Sequence, residues 1–143
     1  MAEVIKDLLK IKNKNIWTIE PGATVYDAIS EMANKQIGAL VVSEDKKVIG
    51  IITERDYARK VILQDKSSKD TLVREIMTER VIYVKPDQKI EDCMALMTKK
   101  HIRHLPVLDG DRLVGMISIG DVVKTLISEK EFLIDQLTRY ISS

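Results

Sequence analysis

Two stretches decide the fold: "IGALVVSEDKKVIGIITERD", residues 37–56, and "IRHLPVLDGDRLVGMISIGD", residues 102–121. Each holds two short apolar runs joined by a polar turn, "EDKK" in one and "DGDR" in the other, and so predicts a β-hairpin. Each then passes a glycine, Gly50 or Gly115, and a hydroxyl residue, Thr53 or Ser118, to reach an aspartate, Asp56 or Asp121. A helix is expected to begin there, near Glu54 and near Ile119.

Working outward, the correspondence covers residues 17–60 and 82–125 at a constant offset of 65 with no gap. Pro21 matches Pro86, Asp27 matches Asp92, Met32 matches Met97, and Leu40 matches Leu105. Ten of 44 aligned positions are identical, where average residue usage gives roughly three by chance. The pairs Ile19/Val84, Val25/Ile90 and Thr53/Ser118 are conservative. The segments ahead of the two copies also correspond, "VIKDLLKIKNKNIWTI" against "LVREIMTERVIYV", the first being three residues longer. The chain is an internal duplication.

Within each copy, Val25, Ala28, Ile29, Met32 and Ala33, and likewise Ile90, Cys93, Met94 and Met97, recur at helical spacing. Pro21-Gly22 and Pro86-Asp87 mark the turn before each helix, and Thr24 is placed to cap the first. The expected unit is β-α-β-β-α, made twice, in an α+β fold. Residues 1–65 hold the first repeat with its leader, and residues 66–128 hold the linker and the second repeat. Residues 129–143 form a helical tail that sets Leu133, Leu137, Tyr140 and Ile141 on one face. That face is expected to pack on the chain's own core or on a partner.

The chain has 143 residues, 45% hydrophobic and 31% charged, with a net charge of +1. This balance provides no general field for nucleic acid or an anionic membrane. No apolar run is long enough to span a bilayer. The N-terminal stretch carries acidic residues and no signal-peptide core, so a cytoplasmic protein is expected. Cys93 is the single cysteine, which excludes an intramolecular disulfide. Its place on the apolar side of a helix reads as a buried structural thiol.

His101 and His104 admit several readings. A metal would need a third ligand, and none stands at metal-site spacing. Catalysis would need a nucleophile beside a base, or a P-loop "GxxxxGK[ST]", and neither occurs. A solvated basic turn is the plain alternative. An anion site accounts for more of the pattern: Arg103 and His104 stand before a buried strand, and Pro106 removes a ladder N–H. Gly115 allows close approach, and Ser118 opens a helix whose first amides favour an anion. A carboxylate at Asp121 can accept hydrogen bonds from both hydroxyls of a ribose, or simply support the helix dipole. Its twin at Asp56 favours a shared functional role.

With both motifs in view, the chain resembles CBS domains, the regulatory repeats named after cystathionine β-synthase. The paired G-h-h-[ST]-x-x-D signature, each copy behind its hairpin, carries the resemblance from about Val4 to Ile127. It implies two tandem CBS repeats packed with pseudo-twofold symmetry into a Bateman module, plus the C-terminal helix. It also implies a non-catalytic sensor whose effector is an adenosyl ligand: AMP, ADP, ATP, NAD(H) or S-adenosylmethionine. By position, Asp121 and Asp56 would hold ribose. Ser118, Thr53, Arg103, His104 and Arg55 would hold ribose or phosphate. Ile16, Thr18, Gly38, Ala39, Val81, Ile82 and Pro106 would line adenine. The first repeat has Gly38-Ala39 where the second has Arg103-His104, and Val41 where the second has Pro106, so the two clefts are not equivalent. The family implies a homodimer acting on a regulated protein; the alternative is a ligand-free interaction module with vestigial clefts.

Overall fold

The structure, a computed structural model, describes residues 3–12 and 16–142. In chain order it holds α1 (Ile5–Ile11), β1 (Thr18–Ile19), α2 (Val25–Lys35), β2 (Ala39–Glu44) and β3 (Lys47–Thr53). There follow α3 (Glu54–Tyr57) with a π-helical turn (Ala58–Ile62), α4 (Val73–Ile76) and α5 (Ile90–Lys100). β4 (His104–Asp109), β5 (Arg112–Ser118) and α6 (Ile119–Ser142) complete it.

The hairpins form where the sequence places them. In the first, Asp45 and Lys46 both adopt positive φ, 52° and 66°. Left-handed residues at both central positions let a two-residue loop follow the twist of its strands. In the second turn Gly110 takes the positive φ at no steric cost. Helices begin at Glu54 and at Ile119, and the Thr24 hydroxyl accepts the Asp27 N–H as the cap of α2. The first repeat forms a three-stranded sheet, β1-β2-β3, with β1 parallel to β2. In the second repeat the leading strand contracts to one parallel bridge, Val84↔Val107. Pro106 stands where Val41 pairs with Thr18 in the first repeat, and without an N–H it cannot extend that ladder.

The residues group into two compact units: 1–15, 83–109 and 115–143 in one, 16–82 and 110–114 in the other. The leader that precedes the first repeat in sequence therefore belongs to the unit of the second. Its hydrogen bonds say why. Ile5 N–H donates to the Gln88 carbonyl, Lys6 N–H to Pro86, and Ile90 N–H to Glu3. The other leader repeats the pattern: Val73 N–H donates to Ala23, Arg74 N–H to Pro21, and Val25 N–H to Thr71. The Asp7 carboxylate accepts the Val4 N–H, and the Glu75 carboxylate accepts the Leu72 N–H. Each leader thus closes the turn and helix start of a repeat it does not precede.

Packing follows the same correspondence. A Cβ on Gly115 would lie 2.6 Å from Leu9 Cδ2, and one on Gly50 would lie 2.7 Å from Met77 Sδ. The two glycines admit a leader side chain against the strand. In one unit Val25, Ala28, Met32, Leu40, Val42, Ile52, Val61, Val73 and Ile76 form a buried cluster. In the other, Ile5, Leu8, Val84, Ile90, Cys93, Met97, Leu105, Val107, Ile117 and Val122 are buried. Burial pushes the Cys93 thiol up to about 11, which keeps it protonated at neutral pH.

The tail is not a separate element. α6 runs unbroken for 24 residues from Ile119 to Ser142, and Ser143 lies outside the described residues. Its far end does not pack on its own core: Leu133 and Leu137 are half exposed, and Tyr140 and Ile141 are each 81% exposed. Among the described residues, no helix is long and apolar enough to cross a membrane.

Candidate functional site

The two aspartates sit at the third position of α6 and of α3, because each strand hands its last residue directly to a helix. The Ser118 hydroxyl accepts the Asp121 N–H at 3.2 Å, and Asp121 Oδ2 accepts the Ser118 N–H at 2.8 Å. Thr53 and Asp56 make the same reciprocal pair at 3.1 and 3.0 Å. This is a capping box with aspartate as its acid. The hydroxyl residue and the aspartate of each motif are therefore locked together before any ligand is considered.

The cations at the two sites come from different places. Lys12, at the end of the leader helix, sets its ammonium 2.7 Å from Asp121 Oδ2 and also donates to the Met116 carbonyl. Asp56 Oδ1 is paired with Lys60 of its own helical segment at 3.1 Å, and Thr78 Oγ1 donates to the same oxygen at 3.4 Å. Lys60 also donates to the Ile76 carbonyl. Burial alone would raise the Asp121 pKa; hydrogen bonds from Lys12 and Ser118 together outweigh it and hold the carboxyl below its ordinary value. Asp121 is thus a carboxylate at neutral pH.

His104 opens β4 and is partly buried. Burial first, then the charges of Lys12 and Arg103, push its pKa below the ordinary 6.5, against the pull of Asp121. It is therefore a neutral imidazole at pH 7, able to donate or accept one hydrogen bond but bringing no charge. Arg103 is exposed, and its carbonyl accepts the Ile119 N–H at 2.8 Å. Gly38 repeats this contact, its carbonyl accepting the Glu54 N–H at 3.1 Å. His101 takes the left-handed position that closes α5, as Gln36 does for α2. The two histidines of the quoted stretch thus have different jobs. Among the described residues, no group of three or more His, Cys, Asp or Glu is placed to hold a metal ion.

Of the residues expected to act together, the structure gathers Asp121, Ser118, Arg103 and His104 in one unit, with Lys12 added. In the other it gathers Asp56, Thr53 and Gly38, with Ala39 opposite Thr53 in the β2–β3 register. Arg55 is exposed on α3 beside Asp56. Among the residues expected to line adenine, Ile16 is 38% exposed, Thr18 pairs with Val41, and Ala39 and Pro106 are buried. Val81 and Ile82 are half-buried ahead of the Val84 bridge.

The sequence model of the CBS domain matches residues 5–63 and 73–128. The chain belongs to the CBS-domain family. The mitochondrial CBS domain-containing protein CBSX3 of Arabidopsis thaliana is 44% identical over 150 residues, covering 98% of this chain and 72% of that one. A putative signal-transduction protein with CBS domains from Burkholderia ambifaria is 54% identical, with a TM-score of 0.85 over 87% of this chain and 94% of that one. The CBS-domain pair of protein MJ0100, solved with 5′-methylthioadenosine and S-adenosyl-L-methionine, is 26% identical. Its TM-score is 0.80 over 90% of this chain and 99% of that one. The paired CBS repeat and the α+β fold expected from the duplicated motif are thereby established.

The depressed pKa of His104 has a consequence for stability. Below the unfolded value of 6.5 the unfolded chain takes up a proton that the folded chain refuses. Stability is therefore full above that pH and falls as the pH drops through it, levelling off once the folded pKa is passed. His104→Gln removes this loss. Urea midpoints from about pH 7.5 to about pH 5.5 are expected to fall more steeply for the wild type. Parallel pH profiles would contradict the partly buried, neutral His104.

Proposed function

We propose that this CBS pair is a non-catalytic regulatory module. It senses an adenine nucleotide of the AMP, ADP, ATP or NAD(H) kind and acts through its own dimer or a protein partner. The observation that carries this reading is the duplicated aspartate. Asp121 and Asp56 occupy the same position behind the same Gly-containing strand, each partly or fully buried with its carboxylate facing a lysine. A carboxylate fixed by its own helix is a preorganised acceptor for a vicinal diol, and a ribose presents one. MJ0100 binds two ligands that share the adenosine group, which supports the ribose assignment. Lys12 on Asp121, with Arg103 next to His104 at the strand entry, favours a ligand that also carries phosphate.

One observation favours the second reading, an interaction module with vestigial clefts. Both carboxylates already have donors inside their own units. The dimer is supported by α6, whose outer half leaves Leu133, Leu137, Tyr140 and Ile141 in solvent. Stretches of apolar surface on one face mark an association surface.

Two experiments test the proposal. Asp121→Ala removes a hydrogen-bond acceptor that is charged, worth about 1.5–3 kcal/mol, so AMP affinity should fall roughly ten- to hundredfold by calorimetry. Loss of the carboxylate should cost folding about 1–3 kcal/mol, because the Ser118 N–H and the half-buried Lys12 ammonium both lose their acceptor. A 2′-deoxy nucleotide should bind the wild type weakly and lose less on mutation. Unchanged nucleotide affinity with an early-melting variant would make the aspartate a helix cap and favour the vestigial reading. Separately, sedimentation at micromolar concentration should show a species of twice 16.3 kDa; a monomer alone would contradict the dimer.

A further inference from the structure

Lys12 reaches the second-repeat site from outside the repeat, 109 residues away in sequence from the aspartate it touches. Its side chain is 30% exposed and that of Asp121 is 25% exposed, so the pair is largely withdrawn from water. Asp121 Oδ2 takes both the Ser118 N–H at 2.8 Å and the Lys12 ammonium at 2.7 Å. A ribose bound through this carboxylate therefore shares it with the ammonium, taking Oδ1 or displacing Lys12 from Oδ2.

The charges decide what kind of ligand this arrangement favours. Lys12 is the cation on this carboxylate, while burial and the charges of Lys12 and Arg103 keep His104 neutral. Ribose hydroxyls that draw on Asp121 weaken its hold on the half-buried ammonium. An unpaired charge in such a place is unfavourable. A phosphate on the same ligand restores an anion within reach of Lys12; a neutral or cationic substituent does not. The first-repeat site differs here. Its lysine, Lys60, lies on the same helical segment as Asp56 and is 45% exposed, so it can turn to water. The leader residue matching Lys12 by position is Arg80, which is exposed.

We propose that Lys12 is the specificity-determining residue of the second-repeat site, selecting adenosyl ligands that carry phosphate over those that are neutral or cationic at that position. The proposal rests on the ribose role of Asp121. It is tested by calorimetry with AMP, 5′-methylthioadenosine and S-adenosyl-L-methionine on the full chain. Wild type is expected to prefer AMP over 5′-methylthioadenosine by about tenfold or more, and S-adenosyl-L-methionine to bind no better than the neutral ligand. Lys12→Met should reduce the preference for AMP by about tenfold, weakening AMP and leaving 5′-methylthioadenosine equal or tighter. Lys12→Arg should retain the preference, because charge rather than shape is read. If Lys12→Met does not fold, Lys12→Gln is measured in its place, since it keeps a donor for the Met116 carbonyl. An unchanged preference in the neutral variant, with AMP still bound, overturns the role of Lys12 and leaves the ribose reading standing. A wild type that binds none of the three ligands overturns both.

Discussion

The bond from the Ile5 amide to the Gln88 carbonyl, and its counterpart from Val73 to Ala23, set the rest of the structure. They fix each leader on a repeat it does not precede. A seven-residue helix such as α1 is too short to persist alone in water. It forms because docking buries Ile5 and Leu8, worth about 1.5–3 kcal/mol each, and seats Leu9 against Gly115. That docking places the end of α1 at the start of α6, which is how Lys12 meets Asp121. The chemistry of the second-repeat site thus follows from a backbone contact made elsewhere on the same helix.

The aspartates reconcile two demands on one side chain. As the acid of a capping box, each satisfies an amide at the start of its helix that has no intrahelical partner. The same bond holds the carboxylate in a fixed direction, and in Asp121 it also helps keep the group ionised. The proposed role as a ribose acceptor needs both properties, so capping the helix and the proposed binding are compatible on one side chain. The two sites nevertheless diverge. One lysine belongs to the helix of its aspartate and the other to a distant leader. One strand begins with Gly38-Ala39 and the other with Arg103-His104. The duplication has kept the acceptor and changed the charge around it.

Much of this is legible in the sequence. The hairpins, the helix starts at Glu54 and Ile119 and the buried Cys93 depend on short-range patterns, so local reading finds them. His101 could have been read as a helix cap, since Gln36 holds the matching position after a helix of the same length. The unbroken α6 also had a signal: no Gly or Pro lies between Val122 and Ser143. The contraction of the leading strand in the second repeat follows from Pro106, whose missing N–H opens the ladder at that point. The home of the leaders was different in kind. Their likeness shows that they correspond, but chain order places each before its own repeat, and only the long-range hydrogen bonds reveal where it docks. Lys12 was invisible for that reason.

Residue-resolved amide exchange with and without AMP tests most directly whether the leader and the ligand site are one unit. The account predicts that AMP raises protection at the Ile119 and Asp121 amides, where α6 begins. It predicts that protection of the Lys12 amide, bonded to the Leu8 carbonyl, changes in the same titration. Changes at α6 with an indifferent leader, or no change at either, would contradict it.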